Sequence, residues 1–190
     1  MGRARSSAEP LLAESRVGHL ELHRMRSVSS IDWDTWRPDD VATLLFIVEP
    51  SRVLLIRKKR GLGAGKINAP GGRLEPGETP LSAAIREVEE EIGVTPSRIR
   101  AHGTLSFQFT DGYKLFAHVF TAEEFTGTPR ETDEAVPIWF SRDALPFDEM
   151  WSDDALWLPH VLAGEAIEGR FVFDGELMLD HELKVRALRE

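Results

Sequence analysis

An α/β sandwich is the fold class that the sequence predicts, on three observations. Strand-like runs lie on both sides of one amphipathic helical segment over residues 80–92, a second helical segment begins near residue 153, and no internal repeat divides the chain. A length of 190 residues suits one domain with a full core. Taken in order, Val41–Val48 and Arg52–Lys58 read as strands joined by a Glu49-Pro50-Ser51 turn. A Gly-rich loop fills 59–71. Ile99–Thr110 and Tyr113–Thr121 flank Asp111-Gly112, a strong hairpin signal. Ala135–Phe140 is a further strand and Asp153–Ala163 a helix. Arg170–Phe173 and Glu176–Leu179 flank an Asp174-Gly175 hairpin turn.

The globular domain is expected over 41–190, behind an N-terminal extension of residues 1–40. Residues 1–30 are rich in Arg and Ser, lack periodicity and carry +2, whereas 41–190 carries −8. An arm or short helix over Leu11–Arg26 and a partly disordered tail are the expectations there. A transit peptide fits poorly, because Glu9, Glu14 and Glu21 interrupt it. The net charge of −9 argues against a nucleic-acid polymer as partner, though not against a nucleotide. With no cysteine, disulfides, thiol catalysis and zinc–thiolate sites are excluded. The longest largely apolar run, Val41–Val48, is too short to span a bilayer, and no secretory signal is visible. A cytoplasmic monomer without membrane contact is expected.

The most specific segment is 72–94, GRLEPGETPLSAAIREVEEEIGV. Gly72, Glu78, Arg86, Glu87, Glu90, Glu91 and Gly93 stand in the order G-x5-E-x7-R-E-U-x-E-E-x-G-U, with Val88 and Val94 at the apolar U positions. Seven fixed residues at such spacing have a chance frequency on the order of 10⁻⁸ per window. Thr79 can cap a helix starting at Pro80, and Gly93 can end it in the left-handed region. Leu81, Ile85, Val88 and Ile92 form an apolar stripe. Glu87, Glu90 and Glu91, at i, i+3 and i+4, gather on a face turned away from that stripe. Like charges so placed repel by roughly 0.2–0.5 kcal/mol per pair. A solvated acidic face is the ordinary reading of such a run. The surrounding spacing favours instead a hard cation, Mg²⁺ or Mn²⁺, which takes carboxylate oxygen together with substrate phosphates.

This pattern resembles the signature of the Nudix hydrolases, with no position departing from it. From Val41 onward the chain is also similar to the animal MutT homologues of that family, which hydrolyse oxidised purine nucleoside triphosphates. KKRGLGAGKINAPGGR, FTGTPRETDE, PFDEMWSDDALW and GRFVFDGE carry that likeness. The resemblance implies a mixed central sheet with flanking helices, an α/β/α sandwich, and a metal-dependent hydrolase that cleanses nucleotide pools. It implies metal ligation by the Gly71 carbonyl with Glu87, Glu90, Glu91 and Glu134. Substrate contacts fall to Thr43, Lys58, Asn68 and Arg73. Trp151, Asp153 and Asp154 would hold the purine, supported by Phe107 and Phe109. Glu91 and Glu134 are both candidates for the base, with Glu87 beside them, and Arg86 is expected to pair with Glu78. The animal enzymes carry Phe where Leu62 stands, Met at Ala135 and Gly-Phe at Ala69-Pro70, departures expected to reshape the base pocket.

Other candidates carry less. Gly61-Leu62-Gly63-Ala64-Gly65-Lys66 fails the phosphate-loop pattern, because Ile67 follows the lysine. In the basic run before it, strand alternation puts Lys58 and Arg60 on one face and Arg57 and Lys59 on the other. No Ser sits in a nucleophile elbow, and the six His lack metal spacing. At Trp151-Ser152-Asp153-Asp154 the plain reading is a helix cap. The functional one is a base pocket in which one of two adjacent carboxyls stays protonated and donates. Phe107 and Phe109 read equally well as core. Two further functions stay open: hydrolysis of another nucleoside diphosphate derivative, such as ADP-ribose or a dinucleoside polyphosphate, and nucleotide sensing without catalysis.

Overall fold

The computed structural model describes residues 26–188. Its strands are β1 (Asp40–Val48), β2 (Arg52–Lys58), β3 (Ile67–Asn68), β4 (Val94–Phe109), β5 (Lys114–Gly127), β6 (Ala135–Ser141), β7 (Glu165–Asp174) and β8 (Leu177–Ala187). Its helices are α1 (Pro80–Ile92) and α2 (Asp154–Leu162). The strands join in one mixed sheet of order β3-β2-β1-β5-β4-β7-β8, with β6 on the other side of β2. The β1–β5 and β4–β7 pairs are parallel and the remaining pairs antiparallel. Parallel neighbours cannot be joined by a tight turn, so the chain between them travels through the helices.

Alternation along the strands splits the core into two layers. Leu45, Ile47, Leu54 and Ile56 pack with Val88 and Ile92 of α1. Phe46, Val53, Leu55, Leu105 and Phe171 pack with Trp157, Leu158 and Val161 of α2. The sheet is thus covered on both faces, the α/β/α arrangement expected. No helix among the described residues is long and apolar enough to cross a membrane.

The β1–β2 hairpin pairs only Ile47 with Leu54 and Val48 with Val53 before the strands part. The freed edge of β1 is taken by the segment preceding α1. Leu45 N donates to the Pro70 carbonyl, Thr43 N to that of Gly72 and Leu74 N to that of Val41, each at 2.9 Å. This pairing sets the Gly-rich segment beside the start of the sheet. Helix α1 begins and ends as expected. Thr79 and Ser82 form a reciprocal capping box, Pro80 leads the helix, and Gly93 closes it at φ 73°.

Three expectations are corrected. The buried face of α1 is Ala83, Ala84, Val88, Glu91 and Ile92, whereas Leu81 in the first turn stays 44% exposed. Glu91 therefore points inward and does not share an outer face with Glu90. Strands β4 and β5 run on as a ribbon, from Val94 opposite Gly127, past the ends that apolar periodicity suggested. That extension is polar and includes Pro96, so periodicity alone did not mark it. The arm expected over Leu11–Arg26 lies, Arg26 apart, outside the described residues. Part of the extension preceding residue 41 packs on the sheet: Val28 N donates to Asp180 at 2.8 Å, Trp36 Nε1 to Gln108 at 3.0 Å and Lys114 N to Asp39 at 2.8 Å.

Thr79 satisfies an otherwise free amide at the start of α1 through Ser82 N, at 3.1 Å. Thr79→Ala is expected to lower stability by about 1 kcal/mol. Urea unfolding would then show a lower midpoint with an unchanged slope, and an unchanged midpoint would contradict the capping role.

Candidate active site

Two neighbouring clusters make up the site. The first is acidic and centres on α1. Arg86 donates from Nε to Glu78 at 2.8 Å and from Nη2 to the second Glu78 oxygen at 2.9 Å. The same guanidinium reaches Glu87 at 2.8 Å, Glu90 at 2.9 Å and the Arg73 carbonyl at 3.1 Å. The expected Glu78–Arg86 pair is thus present, and it holds the Glu78 carboxyl down at about 2. Glu91, 2% exposed, accepts from Gly71 N at 2.8 Å and lies 3.7 Å from Lys58 Nζ. Burial pushes its carboxyl up to about 7 against the pull of Lys58 and the Gly71 amide. Burial also raises Glu87, opposed by Arg86.

Glu134, far away in sequence, arrives through the β2–β6 pairing. Ala135 stands opposite Lys58, and Lys59 N donates to the Glu134 carbonyl at 2.8 Å. Arg60 bonds the Glu134 carboxylate. Lys58 and Arg60 thus turn toward the acidic cluster, while Arg57 pairs with Glu149 at 2.6 Å and Lys59 with Glu131 at 2.5 Å. Arg57 and Lys58 take opposite faces as expected, whereas Lys59 and Arg60 lie beyond the end of β2.

Among the described residues no three carboxylates converge into a ready metal cage. Each carboxylate is met by a protein cation or an amide. The donor set nonetheless fits a hard divalent ion. Pro70 and Gly72 direct their carbonyls to β1, and Gly71 between them turns its amide toward Glu91. Gly72 approaches so closely that a Cβ there would lie 2.4 Å from the Glu87 carboxylate. Gly71 has no more room, since its Cβ would meet the Thr43 carbonyl at 2.0 Å. Glu90 is 56% exposed and paired with Arg86 at 2.9 Å. Oxygen ligands of this kind suit Mg²⁺ or Mn²⁺.

The second cluster is a cavity of about 300 Å³ on the α2 face of the sheet. Its walls include Thr43, Lys58, Asn68, Gly71, Arg73, Phe107, Phe109, Trp151, Asp153 and Asp154. All the residues expected to contact substrate are therefore brought together, and Lys58 and Gly71 connect them to Glu91. The glutamates and Arg86 lie beside this cavity and do not line it. Thr43 is buried, and among the described residues its hydroxyl has no hydrogen-bond partner, which suits a polar contact from a bound molecule. Phe107 stacks on Phe171 at 5.4 Å and Phe109 packs near Phe173 at 5.7 Å, so both serve core and cavity at once.

Asp153 stands at the N-cap position of α2 but does not cap it. Its carboxylate accepts instead from Trp157 Nε1 at 2.9 Å, and Asp154 accepts from Trp151 N at 3.1 Å. Both are buried. Burial lifts Asp153 to about 6, and burial with the neighbouring Asp153 charge lifts Asp154 well above the usual range. Both shifts run toward retained protons, the direction expected of two neighbouring buried carboxyls.

Of the substitutions expected to reshape the pocket, only Leu62 lines it, at 48% exposed. Ala135 is buried in the layer under α1, and Ala69 is buried in the layer under α2 without lining the cavity. Tyr113, Leu115 and Phe173 are walls that the sequence reading missed. Phe173 meets Trp151 edge-on at 5.6 Å. Its alternation with Phe171 was visible, but its place opposite Phe109 depends on the β4–β7 register.

The Asp pair carries a pH signature. The native pair retains protons that the unfolded chain has released above its ordinary value of 3.8. Its contribution to stability therefore falls as pH rises through the raised native values. Asp154→Asn removes the repulsion, so its melting temperature relative to wild type is expected to shift upward from pH 5 to pH 8. A pH-independent difference between the two proteins would contradict a buried pair with raised values.

Residues 38–161 match the NUDIX domain family. The oxidized purine nucleoside triphosphate hydrolase of Danio rerio is 43% identical over 143 residues, covering 74% of this chain and 92% of that protein. The enzyme of the same name from Mus musculus is 40% identical, covering 75% of this chain and 92% of that protein. Among solved structures, the MutT protein of Bacillus halodurans superposes with a TM-score of 0.69 at 28% identity, covering 76% of this chain and 97% of that one. With an unbroken signature helix and a family match across more than half its length, the chain belongs to the Nudix family.

Proposed function

We propose that this protein is a Mg²⁺-dependent pyrophosphohydrolase of purine nucleoside triphosphates, with oxidised purines such as 8-oxo-dGTP or 2-oxo-dATP preferred. The carrying observation is the junction of the two clusters at Lys58 and Gly71, which sets a purine-sized cavity against the acidic helix. The zebrafish and mouse relatives, named for oxidised purine triphosphates, support the substrate class. A free nucleotide suits the cavity and a nucleic-acid polymer does not suit the net charge of −9. The reading extends to a cytoplasmic monomer in which residues 41–190 carry the chemistry and residues 1–40 form an extension.

Asn68, Trp151, Asp153 and Asp154 hold the purine, one aspartate accepting and its protonated neighbour donating to the base edge. Phe107 and Phe109 floor the cavity, and Thr43 offers its free hydroxyl. Lys58 and Arg73 orient the phosphates and oppose charge developing on them. Glu87, Glu90, Glu91, Glu134 and the Gly71 carbonyl would hold divalent ions, whose chemistry there would be charge neutralisation and activation of a water. Water adds across the anhydride between the first and second phosphates, giving the monophosphate and pyrophosphate. Its proton passes to a carboxylate. Glu91 is the acceptor we favour over Glu134, because it sits buried at the junction while Glu134 is more exposed and paired with Arg60. Arg86 keeps the helix carboxylates in place.

Glu91→Gln is expected to lower kcat by at least about 100-fold. Binding of the purine monophosphate, measured by calorimetry, is expected to stay near wild type. A near-wild-type kcat would remove Glu91 from the mechanism. For specificity, kcat/KM is measured with Mg²⁺ for 8-oxo-dGTP, 2-oxo-dATP, dGTP, dATP and ADP-ribose. A preference of about tenfold or more for an oxidised purine is expected. Comparable rates on normal nucleotides, or preference for ADP-ribose, would refute the base pocket and leave the family chemistry standing.

A further inference from the structure

The Gly-rich loop after β2 carries a lysine that the hydrolytic machinery does not use. Lys66 ends Gly61-Leu62-Gly63-Ala64-Gly65-Lys66, and its side chain turns toward Trp151 rather than toward the acidic helix. Its Nζ lies 5.2 Å from the centroid of the indole ring, within cation–π range. The loop is folded tightly there: Lys66 N donates to the Gly63 carbonyl at 2.9 Å, and Lys58 N to the Lys66 carbonyl at 3.0 Å. Gly63 abuts the same ring, since a Cβ on it would lie 2.9 Å from Trp151 Nε1. The loop thus seats an ammonium against the indole, only 21% exposed, while Trp151 also lines the cavity.

Resting on the function proposed above, we propose that Lys66 is a specificity-determining residue, a cation that polarises Trp151 so that the pocket favours electron-rich, oxidised purines over their parents. A cation over an aromatic face draws on the negative face of the π system. The indole that meets the base is then poorer in electrons. An 8-oxo or 2-oxo purine bears an additional electron-donating oxygen and has a richer π system than guanine or adenine. Stacking of a rich ring on a depleted one is favoured, and the parent base gains less.

Glu176, on the β7–β8 turn, approaches Lys66 at 3.0 Å but is 71% exposed. An exposed pair of this kind contributes little. It separates a charge effect on Trp151 from a simple clasp between two loops.

The test is the ratio of kcat/KM for 8-oxo-dGTP over dGTP in wild type, Lys66→Gln, Lys66→Arg and Glu176→Gln. Gln keeps a hydrogen-bonding group without charge, and Arg keeps the charge. The ratio is expected to fall about fivefold in Lys66→Gln, equivalent to about 1 kcal/mol at 1.4 kcal/mol per tenfold. It is expected to stay within about twofold of wild type in Lys66→Arg and Glu176→Gln, with kcat for dGTP unchanged throughout. A wild-type ratio well above one that survives in Lys66→Gln overturns this inference alone. Equal loss in Glu176→Gln also overturns it, in favour of the clasp. A wild-type ratio near one overturns the proposed substrate preference itself and this inference with it.

Discussion

The guanidinium of Arg86 is the contact through which the acidic helix and the loop before it become one object. Four carboxylates in this region, Glu78, Glu87, Glu90 and Glu91, would otherwise repel one another across a single turn of chain and helix. Arg86 bonds three of them and the carbonyl of Arg73 with one planar fork. A lysine could offset the charge, but its compact ammonium lacks the fixed fork needed to grip both oxygens of Glu78 while reaching two other carboxylates. Because Arg86 holds the loop down on α1, Gly72 can press against Glu87, and Gly71 can direct its amide at the one carboxylate Arg86 does not touch. The geometry of the acidic cluster is a consequence of that anchoring.

The sheet keeps two kinds of buried charge apart. On the α1 face, Glu91 is surrounded by Lys58 and an amide, so its desolvation is partly offset by opposite charge. On the α2 face, Asp153 and Asp154 have an indole N–H and a backbone amide in direct contact, with Lys66 acting on Asp154 only through its field. In the first, a neighbouring cation opposes the rise that burial causes; in the second, a neighbouring carboxylate adds to it. Lys58, the last residue of β2, borders both.

Much of this was legible in the residues because it depends on local spacing. The cap at Thr79, the stop at Gly93, the grouping of Glu87 with Glu90 and the opposite faces of Arg57 and Lys58 all follow from helix and strand periods. The inward turn of Glu91 was not legible, because it depends on how far α1 rolls onto β1. Nor was the true location of Ala135, which lies in the core near α1 although its neighbour Glu134 reaches the acidic cluster. Phe173 and Tyr113 were missed for a related reason. A wall residue contributed by a distant strand acquires its meaning only when the register of that strand is known. At Asp153 the sequence pattern of a cap was present, and Trp157 overrode it by offering a buried donor.

The order of the chain separates the two halves of the site in time as well as in space. The α1 glutamates, Gly71, Lys58 and Glu134 have all been supplied by residue 134, whereas the aromatic wall waits for Phe173 on β7. Strand β7 enters the sheet by a parallel pairing with β4, across a long sequence separation and through α2. Contacts of that kind close late, because the loop entropy must be met before they form. A chain emerging from the ribosome therefore carries its charged parts well before its cavity is walled. The enclosed shape of the cavity is a late acquisition of this fold as it is made.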